Sequence, residues 1–287
     1  MIQQAIDFRE ESEALYRLLE PIPDEDFGLV TQFKNWTIND VLTHLHIWNW
    51  AADLTLRDPA GFDAFLRQVA AAVAKGSLRA FENEWIQGLK GRELLETWHS
   101  FCLALSDHYA AADPKARVKW AGPDMTARSK ITARLMETWA HGQEVYDVLG
   151  VERVDQDRIQ NIAMLGVKTF GWTFACRGME VPGKPPYVRL TAPSGAIWEW
   201  NEPSEENRIE GSATEFCQVV TQVRNVADTK LCVKGEVAAR WMSMAQCFAG
   251  PPENPPAPGT RFTQRARRGA AGTLASPTPL EGATPKA

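Results

Sequence analysis

Apolar residues recur at helical spacing through the first half of the chain. In residues 2–20 Ile6, Leu15, Leu18 and Leu19 share one face, and PIPDEDFG ends that helix. NWTINDVLTHLHIWNWAADLTLRDP predicts a second helix. Thr37 is its N-cap, Asp40 completes a capping box, and the helix stops near Asp58-Pro59. AGFDAFLRQVAAAVAKG is a shorter helix closed by Gly76. GRELLETWHSFCLALSDHYAAADP is a long one closed by Asp113-Pro114, and RVKWAGPDM is a loop. TARSKITARLMETWAHGQEVYDVLG is the next long helix, with Gly150 as its C-cap. Four long amphipathic helices predict an all-α antiparallel four-helix bundle over residues 1–150.

After residue 150 the pattern changes. DQDRIQNIAMLGVKTFGWTFACRG reads as helical. YVRLTAP and AIWEW alternate about Pro193-Ser194-Gly195 and predict a β-hairpin. NRIEG and KLCVKG are short strands, followed by the helices SATEFCQVVTQVRNV and EVAARWMSMAQCFAG respectively. Residues 151–250 are therefore expected to form an α+β domain. From Pro251 to Ala287 apolar periodicity is lost and Pro, Gly, Ala, Ser and Thr dominate, which predicts a disordered tail with one small basic run, RARR.

Composition narrows the function classes. The net charge of −5 gives no basic footprint for nucleic acid or anionic membranes. No apolar run approaches the ~20 residues of a membrane span. The acidic amphipathic N-terminus is unlike a signal peptide, so a cytoplasmic location is expected. The five cysteines, at positions 102, 176, 217, 232 and 247, are widely spaced and form no C-x-x-C, as buried thiols in a reducing compartment would be. Dinucleotide, Walker A and G-x-S-x-G motifs are absent.

The candidate chemistry lies in METWAHGQEVYDVLG. Glu137, His141 and Glu144 fall at i, i+4 and i+7 and share a helix face. Glu137 and His141 are one turn apart and can converge on one ion, or form a solvated pair. Among the five histidines, His44 flanks the buried stripe Val41, Leu45, Trp48, and His46 falls further round. His99 and His108 lie on opposite faces of their helix, so both cannot serve one ion. Two histidines and a carboxylate suit a catalytic zinc with an open position; nickel or ferrous iron accept the same set. Asp40, one turn before His44, either orients that imidazole or serves only the capping box. Glu144 is a helper, a general base or merely exposed.

NWTINDVLTHLHIWNW, followed about ninety residues later by ARLMETWAHGQEVYDVLG, resembles the DinB-like metal-binding four-helix bundle, and within it the mycothiol-dependent maleylpyruvate isomerase branch. GSATEFCQVVTQVRNVADTKLCVKGEVAARWMSMAQCFAGPP resembles the sterol-carrier-like C-terminal domain of that branch, the nearest match being a subfamily labelled only as metal-binding. The resemblance covers about residues 5–252. It implies the metal ligands His44, Glu137 and His141, and places Arg224 where the isomerases carry an arginine needed for activity. It further implies zinc or another divalent ion, a thiol cosubstrate such as mycothiol or glutathione, and a small electrophilic substrate undergoing thiol transfer or cis–trans isomerisation. Hydrolysis on the same site, or non-catalytic binding of a metal and a small ligand, remain open. TLRDPAGFDAFL and the insertion QVAAAVAKGSLRAFENEW depart from the isomerases and are expected to remodel the pocket wall, so substrate identity does not transfer.

Overall fold

In the computed structural model, residues 1–122 and 124–265 are described. Helices α1 (Gln3–Leu19), α2 (Ile38–Arg57), α5 (Gly91–Ala111) and α6 (Ala127–Leu149) form the bundle; α3 (Pro59–Ala74) and α4 (Leu78–Trp85) lie between α2 and α5. The expected caps are in place. The Thr37 hydroxyl accepts from the Asp40 N–H while the Asp40 carboxylate accepts from the Thr37 N–H. Gly150 ends α6 at φ 70°.

The register of side-chain bonds gives the helix directions. Arg9 meets Asp107 and Glu13 meets His99, so α1 and α5 are antiparallel. Asn39 meets Gly91, Asn49 meets Cys102 and Asp53 meets His108, so α2 and α5 run parallel. Arg134 bonds Asn49 while His44 faces Glu137 and His141, so α2 and α6 are antiparallel. Two parallel helices adjacent in chain order need a connection as long as the helices themselves. The α3–α4 excursion supplies it, and packs Phe62, Phe65 and Val69 against Ile47, Trp48 and Ala51 as a separate apolar cluster.

Beyond the bundle, α7 (Gln160–Lys168) and α8 (Phe170–Ala175) replace the single helix expected there. The break falls at Thr169, whose hydroxyl donates to the Leu165 and Gly166 carbonyls. Strands β3 (Tyr187–Thr191) and β4 (Ile197–Trp200) form the expected hairpin. β5 (Arg208–Ser212) pairs parallel with β3 and antiparallel with β6 (Cys232–Lys234), giving the order β4-β3-β5-β6. Val188, Leu190, Trp198 and Ile209 are buried in the core with α9 (Ala213–Val220) and α10 (Glu236–Met242). One continuous core runs from the bundle into this sheet-bearing part.

Three expectations are corrected. RVKWAGPDM is not only loop: β1 (Arg117–Val118) and β2 (Met125–Thr126) pair before α6, satisfying backbone groups at its entry. The two last helices are shorter than their apolar periodicity suggests. The chain turns at left-handed Gln222 (φ 59°), and the Cys247 N–H donates to the Val220 carbonyl instead of continuing a helix. The segment from Pro251 is not loose up to residue 265. It lacks helix and strand, yet its backbone is held by Arg177, Gln222, Asn225, Asp228, Gln246 and Gln32. A Pro-rich segment that cannot build its own ladder is fixed here by side chains of the body. Residues 266–287 of the expected tail lie outside the described residues.

Gly235, at the start of α10, has φ 91°, and a Cβ there would lie 2.1 Å from the Glu206 carbonyl oxygen and 2.4 Å from Asn207 Oδ1. Asn207 Oδ1 also accepts from the Val237 N–H, so the Asn207 side chain is fixed against α10. Gly235→Ala should therefore destabilise by about 2 kcal/mol and lower the melting temperature by roughly 4–8 °C. Thermal unfolding checks this; an unchanged midpoint would contradict the close approach.

Candidate metal centre

Helix α6 is buried on nearly every side. Arg134, Thr138, His141, Gln143, Glu144 and Asp147 are buried along with Ile131, Leu135, Trp139 and Val145. A buried polar group must find a partner or cost several kcal/mol, so the arrangement of these side chains is constrained. Glu137 and His141 project toward His44 on α2. Glu137 Oε2 is 3.5 Å from His141 Nε2 and 3.9 Å from His44 Nε2. One ligand atom from each of the three lies within 4.8 Å of the others.

Each imidazole is held from behind. His44 Nδ1 is 2.9 Å from Glu82 Oε1, and His141 Nδ1 is 3.1 Å from Glu144 Oε2. An ionised carboxylate only accepts, so Nδ1 carries the proton in both rings. In the neutral ring that leaves the Nε2 lone pair facing the other two donors. Glu82 also accepts from Trp48 Nε1 at 2.9 Å. His141 stacks on Trp36, with centroids 5.6 Å apart and planes 11° apart, and meets the edge of Phe33 at 5.2 Å. Phe33 and Trp36 reach the site because Lys34 and Asn35 both take left-handed conformations (φ 47° and 56°), folding residues 30–37 into a tight hairpin before the α2 cap.

The electrostatics follow from this packing. Burial alone would lower the pKa of His141, but the Glu144 and Glu137 carboxylates outweigh it and raise it to about 10. Burial likewise opposes the charge on His44, and Glu82 with Glu137 raises its pKa. Burial would favour neutral Glu137, yet hydrogen bonds from His141 and His44 hold it well below the usual carboxylate range. The triad is thus two imidazoles with raised pKa values facing one carboxylate held ionised. Two nitrogens and one oxygen are donor types zinc accepts, and the 3.5 and 3.9 Å separations lie near the roughly 3.4 Å between tetrahedral donors ~2.1 Å from an ion.

The other expected residues sort clearly. Glu144 lines the cavity and acts on His141. Asp40 does not meet His44: its Oδ2 bonds Thr37 and Arg79, so it serves the cap. Arg224 is not among the residues lining the cavity. It is 8% exposed and bonds buried Asp147 at 2.7 Å, an ion pair linking α9's exit to α6. His46 is a core histidine against Phe101 and Trp85, its pKa pushed down to about 4 by burial. His99 pairs with Glu13 and His108 with Asp53, both away from the site. Sequence reasoning did not find Glu82. It lies in the α3–α4 insertion, 38 positions from its partner, and shows no periodic signal. The insertion does form pocket wall, through Leu78.

The triad opens into a cavity of about 280 Å³ between the bundle and the C-terminal part. Its walls include Phe33, Trp36, Met136, Gln222, Phe248 and Arg261. That size suits a small organic molecule. Fold and donor set together define a helical-bundle protein with a His₂–Glu candidate metal centre.

The comparisons carry this further. Residues 8–146 match the family described as mycothiol maleylpyruvate isomerase N-terminal domain. Over 247 residues the chain is 38% identical to the uncharacterized proteins Rv0036c and MT0041 of two Mycobacterium tuberculosis strains, covering 86% of this chain and 95% of each relative. The chain belongs to the family built on the mycothiol maleylpyruvate isomerase N-terminal domain. The crystal structure of the mycothiol-dependent maleylpyruvate isomerase aligns over 76% of this chain and 87% of that one, at 16% identity and TM-score 0.48. Among the described residues no helix is long and apolar enough to cross a membrane.

Two outcomes are expected. Glu82→Gln, which removes the charge behind His44, should weaken zinc affinity about 10- to 100-fold, whereas Asp40→Asn should leave affinity unchanged and cost only about 1 kcal/mol of stability through the cap. Competition titration against a chelating dye measures the first and thermal unfolding the second. Because the metal must displace protons from imidazoles whose pKa values are raised, affinity should keep increasing with pH from about pH 6 up to the His141 value of about 10. Calorimetry in buffers of different ionisation enthalpy should show proton release on binding; a pH-independent affinity would exclude histidine ligation.

Proposed function

We propose that the cavity is the active site of a divalent-metal-dependent enzyme that brings a low-molecular-weight thiol to a small electrophilic or unsaturated substrate, as a thiol transferase or cis–trans isomerase. The observation that carries this is the convergence of His44, Glu137 and His141 on one point at the cavity wall, each imidazole oriented by its own carboxylate. These three residues would hold the ion, with zinc the best match to the donor set. A bound divalent ion stabilises a thiolate at neutral pH and polarises a carbonyl. Membership of a family named for a mycothiol-dependent isomerase makes mycothiol the first thiol to test, with glutathione the second.

The chain's own groups have distinct duties. Glu82 and Glu144 hold the imidazole Nδ1 protons and so fix which nitrogen faces the cavity. Trp36, Phe33 and Phe248 exclude water from the reacting groups and supply apolar contact to a small substrate. Glu144 acts through His141 as a positioning residue. Arg224, with its guanidinium tied to Asp147, positions α6 rather than touching substrate.

Protein purified without chelator should contain close to one divalent ion per chain, and His141→Ala should lose it; elemental analysis decides this, and metal-free wild-type protein would overturn the proposal. Metal-loaded protein should gain thermal stability from mycothiol or glutathione, by roughly 2.7 kcal/mol at a hundredfold excess over Kd. Metal binding with no shift from either thiol would favour hydrolysis on the same site.

A further inference from the structure

The cavity holds a second chemical feature besides the triad. Arg261 lines it from the segment that follows Pro251. Its guanidinium lies over the Phe33 ring, 4.9 Å from the centroid, and the Phe33 ring is 5.2 Å from that of His141. One aromatic ring therefore separates the guanidinium from a metal-ligand candidate. Its Nη1 donates to the Gln222 carbonyl at 2.9 Å, and among the described residues no carboxylate pairs with it. The other cation on the cavity wall, Lys34, is already matched by Glu253 at 3.0 Å. Burial disfavours the Arg261 charge, Glu144 offsets it most, and Asp147 and Glu253 add to that offset.

A guanidinium held against a ring face, with one donor fixed and its fork otherwise unmatched, is built to take a planar anion by two parallel hydrogen bonds. Its position is not an accident of a loose end. The flanking residues are tied to three parts of the body: Gly259 N–H donates to Asp228, Phe262 N–H to Gln32, and Thr263 Oγ1 to Asp147. We infer that Arg261 is a specificity-determining residue that anchors the carboxylate of a small ligand whose other end meets the His44–Glu137–His141 face of the same cavity. The inference rests on reading the cavity as a ligand site. It deepens the proposed function by assigning a carboxylate to either the substrate or the thiol.

Two probe pairs separate those sources: succinate against dimethyl succinate, and 3-mercaptopropionate against 2-mercaptoethanol. Affinities are measured calorimetrically on the full chain loaded with zinc, in the wild type and in Arg261→Met, Arg261→Gln and Arg261→Lys. The Gln variant keeps a donor toward the Gln222 carbonyl, so loss of the charge is separated from loosening of the segment. The wild type should prefer the charged member of at least one pair by roughly tenfold or more, as a charge-assisted bidentate contact supplies. The preference should vanish in the Met and Gln variants and return in part in the Lys variant, with zinc content unchanged in all. The pair that shows it identifies which reactant carries the carboxylate. Absence of preference in both pairs, or its persistence in Arg261→Gln, overturns the inference while leaving the metal site intact. If the wild type takes up no zinc, the proposed function fails, and the succinate pair on the metal-free chain still decides for or against Arg261.

Discussion

A helix buried on all sides can carry charge only where each charge is met, and α6 carries Lys130, Arg134, Glu137, His141, Glu144 and Asp147. The matching of these groups organises the molecule. Asp147 is met by Arg224 and Thr263, which joins α6 to the C-terminal part. Arg134 is met by Asn49, which joins it to α2. Glu144 is met by the Nδ1 of His141, and that bond turns Nε2 outward to Glu137. Once an imidazole has spent one nitrogen on a buried carboxylate, the only nitrogen left for chemistry is the one facing the cavity. Lys130 is the exception: its Nζ lies 3.2 Å from the Trp120 ring centroid with no hydrogen-bond partner among the described residues, and burial lowers its pKa to about 6, so neutrality replaces pairing there.

The bundle's topology explains why His44 is served by a residue so far away in sequence. With α2 and α5 parallel, the chain must travel back the length of the bundle between them. The returning segment is free to pack over the face of α2 that bears His44 and Trp48. Glu82 on α4 takes hydrogen bonds from both. Burial would drive Glu82 toward its neutral form, but the His44 charge and these two donors keep its pKa below the ordinary range. An excursion needed for connectivity thereby completes the centre and supplies Leu78 to the cavity wall.

This separates what could be read from the sequence from what could not. The Thr37–Asp40 box, the Gly150 cap and the one-turn spacing of Glu137 and His141 are local, and local geometry carries them from sequence to structure intact. The bundle and the β3–β4 hairpin were legible for the same reason, being written in periodicity and turn residues. Glu82, Phe33 and Arg261 were not, since each reaches the site through a long-range approach that no spacing encodes. The Asp40 alternative shows the converse. A carboxylate one turn from His44 looked able to orient it, yet the N-terminal amide and hydroxyl of Thr37 claim that carboxylate first. Likewise the composition after Pro251 shows that the segment builds no ladder of its own, but says nothing of acceptors and donors waiting on the body.

The C-terminal segment changes what kind of site this is. Phe248, Glu253, Asn254 and Arg261 line the same cavity as the ligand residues, and side chains from both halves of the molecule hold that segment in place. Electrostatic interactions in a partly open cavity are stronger than at a flat surface because less water screens them. The candidate metal ligands and Arg261 therefore come from different parts of the chain. In this chain the segment that brings Arg261 to the cavity lies beyond residues 8–146, the extent of the family's N-terminal domain.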